Sequence, residues 1–170
     1  NIPEDRHLHD AKVSERWLFE YWLPHFRDCI IEGQAQEVMA SYNALNGVDN
    51  VRNNYLLTDI LRTQWGFEGF VVNDAGGVGG MYNKYKGKMP YEEVVAKSLI
   101  GGTDVADAPY GQYIPVAVGM GILPIEVVDQ ALNRVLRARF RLGEFDPPAL
   151  VPYSKIPFSE VMNPEHRALS

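Results

Sequence analysis

The residues best placed to do chemistry lie in one stretch, Trp65-Gly66-Phe67-Glu68-Gly69-Phe70-Val71-Val72-Asn73-Asp74-Ala75-Gly76-Gly77-Val78-Gly79-Gly80. Phe70, Val71 and Val72 are consecutive apolar β-formers, the pattern of a short strand buried on both faces. Asn73 and Asp74 end that run. Glycine then fills four of the next six places, so the backbone is expected to turn sharply or to approach a ligand there. A carboxylate at the C-terminal end of a buried strand, opening such a loop, is where parallel α/β folds put their chemistry. Asp74 is therefore the first candidate. The plainer alternative is that it caps the next helix or closes a turn.

Other candidates have less behind them. Tyr42 and Asp107 also fall at the ends of short apolar runs, Val38-Met39-Ala40-Ser41-Tyr42 and Thr103-Asp104-Val105-Ala106-Asp107. On residue type alone, Tyr42 reads as a half-buried structural tyrosine. His7-Leu8-His9-Asp10 puts two imidazoles two residues apart, but spacing supplies no third ligand, so a surface loop is the expectation. The Gly76–Gly80 stretch lacks the Gly-Lys-Ser/Thr ending of a phosphate loop and the ordered glycines of a dinucleotide site. That argues against a small phosphate- or nucleotide-binding domain. The lone cysteine, Cys29, has no internal disulfide partner. It lies in an apolar helical pattern, as a core residue does.

These residues belong to a chain of 170, enough for one domain with a real core. A net charge of −6 argues against a nucleic-acid partner, which needs clustered Lys and Arg. Arg134, Arg137, Arg139 and Arg141 lie in a helical pattern and read as a solvated face. No apolar stretch approaches the ~20 residues that span a bilayer, so no membrane partner is expected. The chain opens in loop-like Asn1-Ile2-Pro3, without an initiator Met or a signal peptide. It closes on Asn163-Pro164-Glu165, an N-cap, a first-position proline and an acidic first turn. A helix stopped after barely a turn has not offset its nucleation cost, so an interior piece of a longer polypeptide is expected.

The elements that must position Asp74 follow from periodicity. Residues 1–13 read as loop. Ser14 is a plausible N-cap for a helix carrying Trp17, Leu18, Tyr21, Trp22, Phe26, Cys29 and Ile30 on its apolar stripe, with Pro24 set to kink or split it. Gly33 stops it. The Val38–Tyr42 run predicts a strand, followed by a long Asn-Gly loop over 43–50. Leu56, Leu57, Ile60 and Leu61 mark a helix ending near Trp65-Gly66. After the Phe70–Val72 strand and its loop, a helix is predicted over 91–100, with Val94, Val95, Ser98 and Leu99 inward. A short strand over 103–107, a short helix over 114–120 and a long helix from Leu123-Pro124 follow. The long helix carries Ile125, Val128, Leu132, Val135 and Leu136 on its stripe, and Gly143 ends it. Residues 144–158 are proline-rich and irregular. This alternation implies parallel βαβ units. Three strands do not close a barrel, so they form either a small open sheet or the last part of an eight-stranded one; the cut ends favour the latter.

At this point the residues carry a resemblance. Val38-Met39-Ala40-Ser41-Tyr42-Asn43-Ala44-Leu45-Asn46-Gly47, Leu56-Leu57-Thr58-Asp59-Ile60-Leu61-Arg62, the Trp65–Asp74 stretch, Gly102-Thr103-Asp104 and Arg137-Ala138-Arg139-Phe140-Arg141-Leu142-Gly143 resemble glycoside hydrolase family 3. The similarity runs through nearly the whole chain in order. It implies an α/β fold, the C-terminal portion of a (β/α)8 TIM-like barrel, completed by segments not in this chain. Residues 1–143 would be barrel, 144–162 the interdomain linker, and 163–170 the first turn of a following α/β sandwich domain.

The resemblance also implies a reaction. Such enzymes are hydrolases of carbohydrate metabolism that remove β-linked sugars from non-reducing ends; β-glucosidase is the first expectation and β-xylosidase the next. The family's nucleophile maps onto Asp74. The tyrosine of its Ser-Tyr-Asn motif maps onto Tyr42, which with Met39 on the same strand is expected to bind substrate. Two departures stand out: the residue before the nucleophile is usually Ser or Thr and here is Asn73, and many members carry Trp where this chain has Ala75. The acid/base carboxylate and a sugar-binding Lys-His pair would lie outside this chain.

A carboxylate nucleophile attacks an anomeric carbon and leaves again when water arrives, the two steps of a retaining displacement. Hydrogen-bond donors are expected around Asp74 to keep it ionised, the Tyr42 hydroxyl and basic residues outside this chain among them. No metal or organic cofactor is required. The expected partners are a β-glucoside or β-xyloside and the remaining segments of the same enzyme, and a secreted or periplasmic location is what the family implies. The competing expectation is a non-catalytic carbohydrate-binding or structural relic of the same fold.

Overall fold

The structure, a computed structural model, describes residues 8–107 and 110–169. The elements run β1 (Asp10–Ala11), α1 (Glu15–Trp17), a wider helical turn over Leu18–Trp22, α2 (Pro24–Ile31), β2 (Glu37–Ala40), β3 (Ala44–Leu45), β4 (Val48–Asp49), a tight turn over Asn50–Arg52, α3 (Tyr55–Gln64, wound throughout with the same wider π-type turn) and β5 (Phe70–Asn73). Then come α4 (Gly77–Lys84), α5 (Tyr91–Gly101), α6 (Tyr110–Gly119), α7 (Ile125–Arg141) and α8 (Pro164–Leu169).

The centre is a parallel pair. β2 runs beside β5 in the register Glu37↔Phe70, Val38↔Val71, Met39↔Val72 and Ala40↔Asn73, with α3 as the crossover. Alternation gives each face its own residues. Ala40 and Val71 pack with Leu57 and Leu61 of α3 and Val94, Val95 and Leu99 of α5 in the core. Met39, Phe70 and Val72 take the opposite face, where Met39 is 58% exposed.

The strand expected over 103–107 is reduced to one parallel bridge, Val72↔Val105. Asp104 supplies the reason. Its Oδ2 accepts the Val71 amide at 2.8 Å, a position that a strand carbonyl would hold in a continued ladder. The same carboxylate takes Arg62 Nη2 of α3 at 2.6 Å and, on Oδ1, Arg134 Nη1 of α7 at 2.8 Å. Arg134 thus corrects the expectation of a solvated arginine face, since it closes a buried ion triad. The helices at 55–64 and 91–101 bury the residues expected of them, Leu57, Ile60 and Leu61 in one and Val94, Val95, Ser98 and Leu99 in the other.

Three further expectations are corrected. The first concerns the aromatic stripe. Ser14 does cap α1, its Oγ accepting the Trp17 amide at 3.3 Å, and Pro24 does split the helix. Yet Trp17, Tyr21, Trp22 and Phe26 stay about half exposed or more, and Cys29 is exposed; of the stripe only Leu18 and Ile30 are buried. The Leu23 amide reaches back five residues to Leu18. That wider turn shifts the apolar positions off the 3.6-residue period, and no other layer of the described chain covers the exposed ones.

Residues 10–11 are strand rather than loop. β1 pairs parallel with β3, which pairs antiparallel with β4. Polar side chains stand in for missing backbone partners: Asp10 accepts the Gly47 amide at 2.8 Å, and Asn46 exchanges two bonds with the Val13 backbone. His7 lies outside the described residues. His9 is exposed, and no group of three metal-binding side chains occurs among the described residues.

The third correction is that the glycine-rich stretch opens a helix instead of a loop. Gly76 takes the left-handed conformation (φ 78°), and α4 starts at Gly77. A Cβ at Gly77 would stand 2.9 Å from Val51 Cγ1 and 3.3 Å from Asn73 Nδ2. These glycines let the helix start sit against β5. Farther along, Tyr82 of α4, Tyr91 of α5 and Tyr113 of α6 stack face to face, with ring centroids 4.1 and 4.8 Å apart.

Packing divides the chain into a unit ending at Val135 and a smaller one from Leu136. In the first, Ala131 and Leu123 are buried, whereas Ile125 and Leu132 of the expected α7 stripe are about half exposed. In the second, Arg139 pairs with Glu144 at 2.6 Å and lies over the Phe145 ring. The proline-rich stretch forms tight turns, and Asn163 caps α8 by accepting the His166 amide at 2.8 Å. Among the described residues, no helix is long and apolar enough to cross a membrane.

Candidate active site

Asp74 follows β5 directly. Its amide donates to the Ala40 carbonyl at 2.8 Å, which carries the β2–β5 ladder one step past the end of both strands. Position 74 therefore stands across from Ser41, on the face that also holds Val72 and Met39, and one residue short of Tyr42. The structure thus brings Asp74 and Tyr42 to the same end of the pair. Tyr42 and Asp74 are both half-buried. Among the described residues, no hydrogen bond to the Asp74 carboxylate occurs, from the Tyr42 hydroxyl or any other donor; the basic donors expected from outside this chain are not part of the structure.

What the chain does supply is a rigid frame for that residue. The Asp74 carbonyl accepts from the Gly77 amide at 2.7 Å and from Asn73 Nδ2 at 2.7 Å. Asn73 Nδ2 also donates to Asp107 Oδ1 at 2.7 Å, the Asp107 amide donates back to Asn73 Oδ1 at 3.1 Å, and the Gly76 amide donates to Asp107 Oδ2 at 2.7 Å. Asp107, the other strand-end carboxylate, is thereby joined to both sides of position 74.

A second frame holds the loops on the same side. Asp49 of β4 is 2% exposed and accepts from Lys84 Nζ at 2.5 Å, Arg52 Nε at 3.0 Å and the Tyr85 hydroxyl at 3.0 Å. Burial alone would raise the Asp49 pKa; the three donors outweigh it and hold the carboxyl below its usual range. The network ties the chain after β2 to the end of α4. Sequence reasoning missed it. The i,i+3 spacing of Asp49 and Arg52 is its one local signal, and Lys84 and Tyr85 are more than thirty residues away.

A well-defined cavity lies elsewhere. It measures about 600 Å³ and runs along β2 between Leu18, Trp22 and Phe26 on one side and Leu57, Ile60 and Leu61 on the other. Met39 borders it; Asp74 and Tyr42 do not. Its lining is mostly apolar, with Glu37, Ser41 and Asn50 as its polar members, so it reads as a packing groove and not as a site for a sugar.

Comparison with known proteins now bears on this geometry. Residues 3–138 match the family described as glycosyl hydrolase family 3 N terminal domain. The chain belongs to glycosyl hydrolase family 3. Among its curated relatives, a probable exo-1,4-β-xylosidase of Aspergillus terreus is 32% identical over 98% of this chain and 22% of its own length. A xylan 1,4-β-xylosidase of Xylanibacter ruminicola is 38% identical over 86% of this chain and 17% of its own. Among solved structures, a family 3 exo-β-xylosidase in complex with a xylobiose aziridine activity-based probe superposes with a TM-score of 0.88 at 25% identity, over 96% of this chain and 22% of that one. A β-glucosidase from Erythrobacter marinus gives 0.84 at 29%, over 98% and 22%. The family 3 chain thus spans about a fifth of the length of the curated relatives it matches. Its fold is the expected one, an α/β fragment of a TIM-like barrel.

Proposed function

We propose that the family 3 chain contributes the nucleophile, Asp74, to a retaining, exo-acting glycoside hydrolase that removes β-linked glucose or xylose from non-reducing ends. The observation that carries this reading is the place of Asp74: a carboxylate one ladder step beyond paired parallel strands, on the open face of the pair. Barrel enzymes gather their reacting groups at that end.

In the first step, the Asp74 carboxylate attacks the anomeric carbon while an acid from another segment protonates the departing oxygen. In the second, that group as base activates water, which releases the sugar and restores the carboxylate. The two carboxyl groups of such a pair stand roughly 5–5.5 Å apart. Tyr42 and Met39 would contact the sugar beside Asp74. The remaining barrel and the following sandwich domain, with residues 144–162 as linker and 163–170 as the domain's first turn, complete the enzyme. A secreted or periplasmic location fits a polysaccharide-trimming role, and cell fractionation checks it.

The names of the relatives support both sugars, so the test uses both. The full-length enzyme is treated with 2-fluoro β-xylosyl and β-glucosyl fluorides, digested, and the labelled peptide sequenced. The label is expected on Asp74, and Asp74→Ala is expected to lose about 10⁴-fold or more in kcat. A second reading is a non-catalytic carbohydrate-binding or structural relic of the same fold, since fold alone does not establish activity. Stoichiometric sugar binding with no label and no turnover would establish it instead.

A further inference from the structure

We infer that Asn73 and Asp107 form a coupled pair that fixes the backbone at Asp74, and that Asp107 is a positioning residue for the nucleophile. The inference rests on the reading of Asp74 given above.

The geometry is specific to these two side chains. Asn73 Nδ2 has two protons and meets two acceptors, the Asp74 carbonyl and Asp107 Oδ1. Asn73 Oδ1 meets one donor, the Asp107 amide. This arrangement also fixes which end of the amide is nitrogen. A serine or threonine hydroxyl, usual at this position in the family resemblance, carries one proton and so serves one of those acceptors. Asn73 therefore does what the usual residue does not, and it needs Asp107 to do it.

Asp107 acts on the far side as well. Its Oδ2 takes the amide of Gly76, whose left-handed backbone turns the chain into α4. One carboxylate thus grips residues 73 and 76 and leaves Asp74 between two fixed points. The Asn73 side chain is 5% exposed with its residue and cannot drift to water. The Gly77 amide and the Ala40 carbonyl hold the Asp74 backbone from two more directions. Bonds at this density set the direction in which a short aspartate side chain leaves the backbone, and misplacement by about 1 Å costs roughly 100-fold in a displacement reaction.

The test is a double-mutant cycle in the full-length enzyme: Asp107→Ala, Asn73→Ala and both together. Trapping by the 2-fluoro glycoside is expected to slow about 10- to 100-fold in each single variant. Inhibition by the free product sugar should stay within about twofold, because binding is not what the pair controls. The double variant should be no slower than the slower single one, the mark of groups acting as a unit. Effects that multiply, or an Asp107→Ala enzyme labelled on Asp74 at the wild-type rate, overturn the inference. Should Asp107→Ala not fold, Asp107→Asn decides: it keeps one acceptor for two donors, so unchanged trapping overturns the inference and slowed trapping with intact product binding upholds it. A wild-type enzyme that takes no label at Asp74 overturns the proposed nucleophile first, and this inference with it.

Discussion

Asp49 shows how far a single side chain is governed by partners that its neighbours in sequence do not announce. Its carboxyl is held below its ordinary value of 3.8 because Lys84, Arg52 and Tyr85 outweigh the effect of burial. A folded-state value below the unfolded one means that the unfolded chain takes the proton first on acidification. The stability contributed by Asp49 is therefore fully present above about pH 4 and is lost as pH falls through the folded value. Urea midpoints measured from pH 6 to pH 3 should fall in that lower window. Asp49→Asn should lower the midpoint at neutral pH, by about 1–3 kcal/mol, and flatten the acid slope; an unchanged slope would count against the network. Asp74 was legible because a strand end followed by glycines is a local pattern. Asp107 was legible as a strand-end carboxylate too, but its partners and those of Asp49 were not, because each finds donors more than thirty residues away in at least one contact.

At the level of elements, the Arg62–Asp104–Arg134 triad joins α3, the bridge segment and α7. Its carboxylate also occupies the Val71 amide. Asp104→Ala would leave two guanidinium groups facing each other in a largely buried site and one strand amide without its acceptor. The expected loss is about 3–5 kcal/mol, seen as a lower denaturant midpoint with an unchanged slope. Two apolar replacements in place of the arginines should recover part of it. The helices over 55–64 and 91–101 were readable from their inward residues, because packing rewards that spacing whatever the details of the turn. The third strand was over-read, since an apolar pattern does not reveal that a side chain will take a ladder bond. The aromatic stripe at 17–26 was over-read because periodicity shows which side chains share a face and not whether another layer of the described chain covers that face; the helix over 55–64 winds with the same wide turn and still buries its stripe.

For the whole molecule, the alternation of strands and helices made the fold class legible, and the family resemblance supplied its completion. Among the described residues β2 pairs with β5 alone, and an apolar groove runs beside it under an exposed aromatic face. Such an edge recruits other chains. The chain expressed alone is expected to self-associate and to bind a hydrophobic dye, and Met39→Lys at this edge should reduce association; a monodisperse monomer by light scattering would contradict this. One feature gives these experiments an internal optical gauge. Rings stacked as closely as Tyr82, Tyr91 and Tyr113 couple their ultraviolet transitions, so the set should give a near-ultraviolet circular dichroism signal that vanishes when α4 lifts from α5 and α6. Because α4 begins three residues after Asp74, the tyrosines report by their ultraviolet signal alone whether the Asp74 end of the fold is seated, with no substrate present.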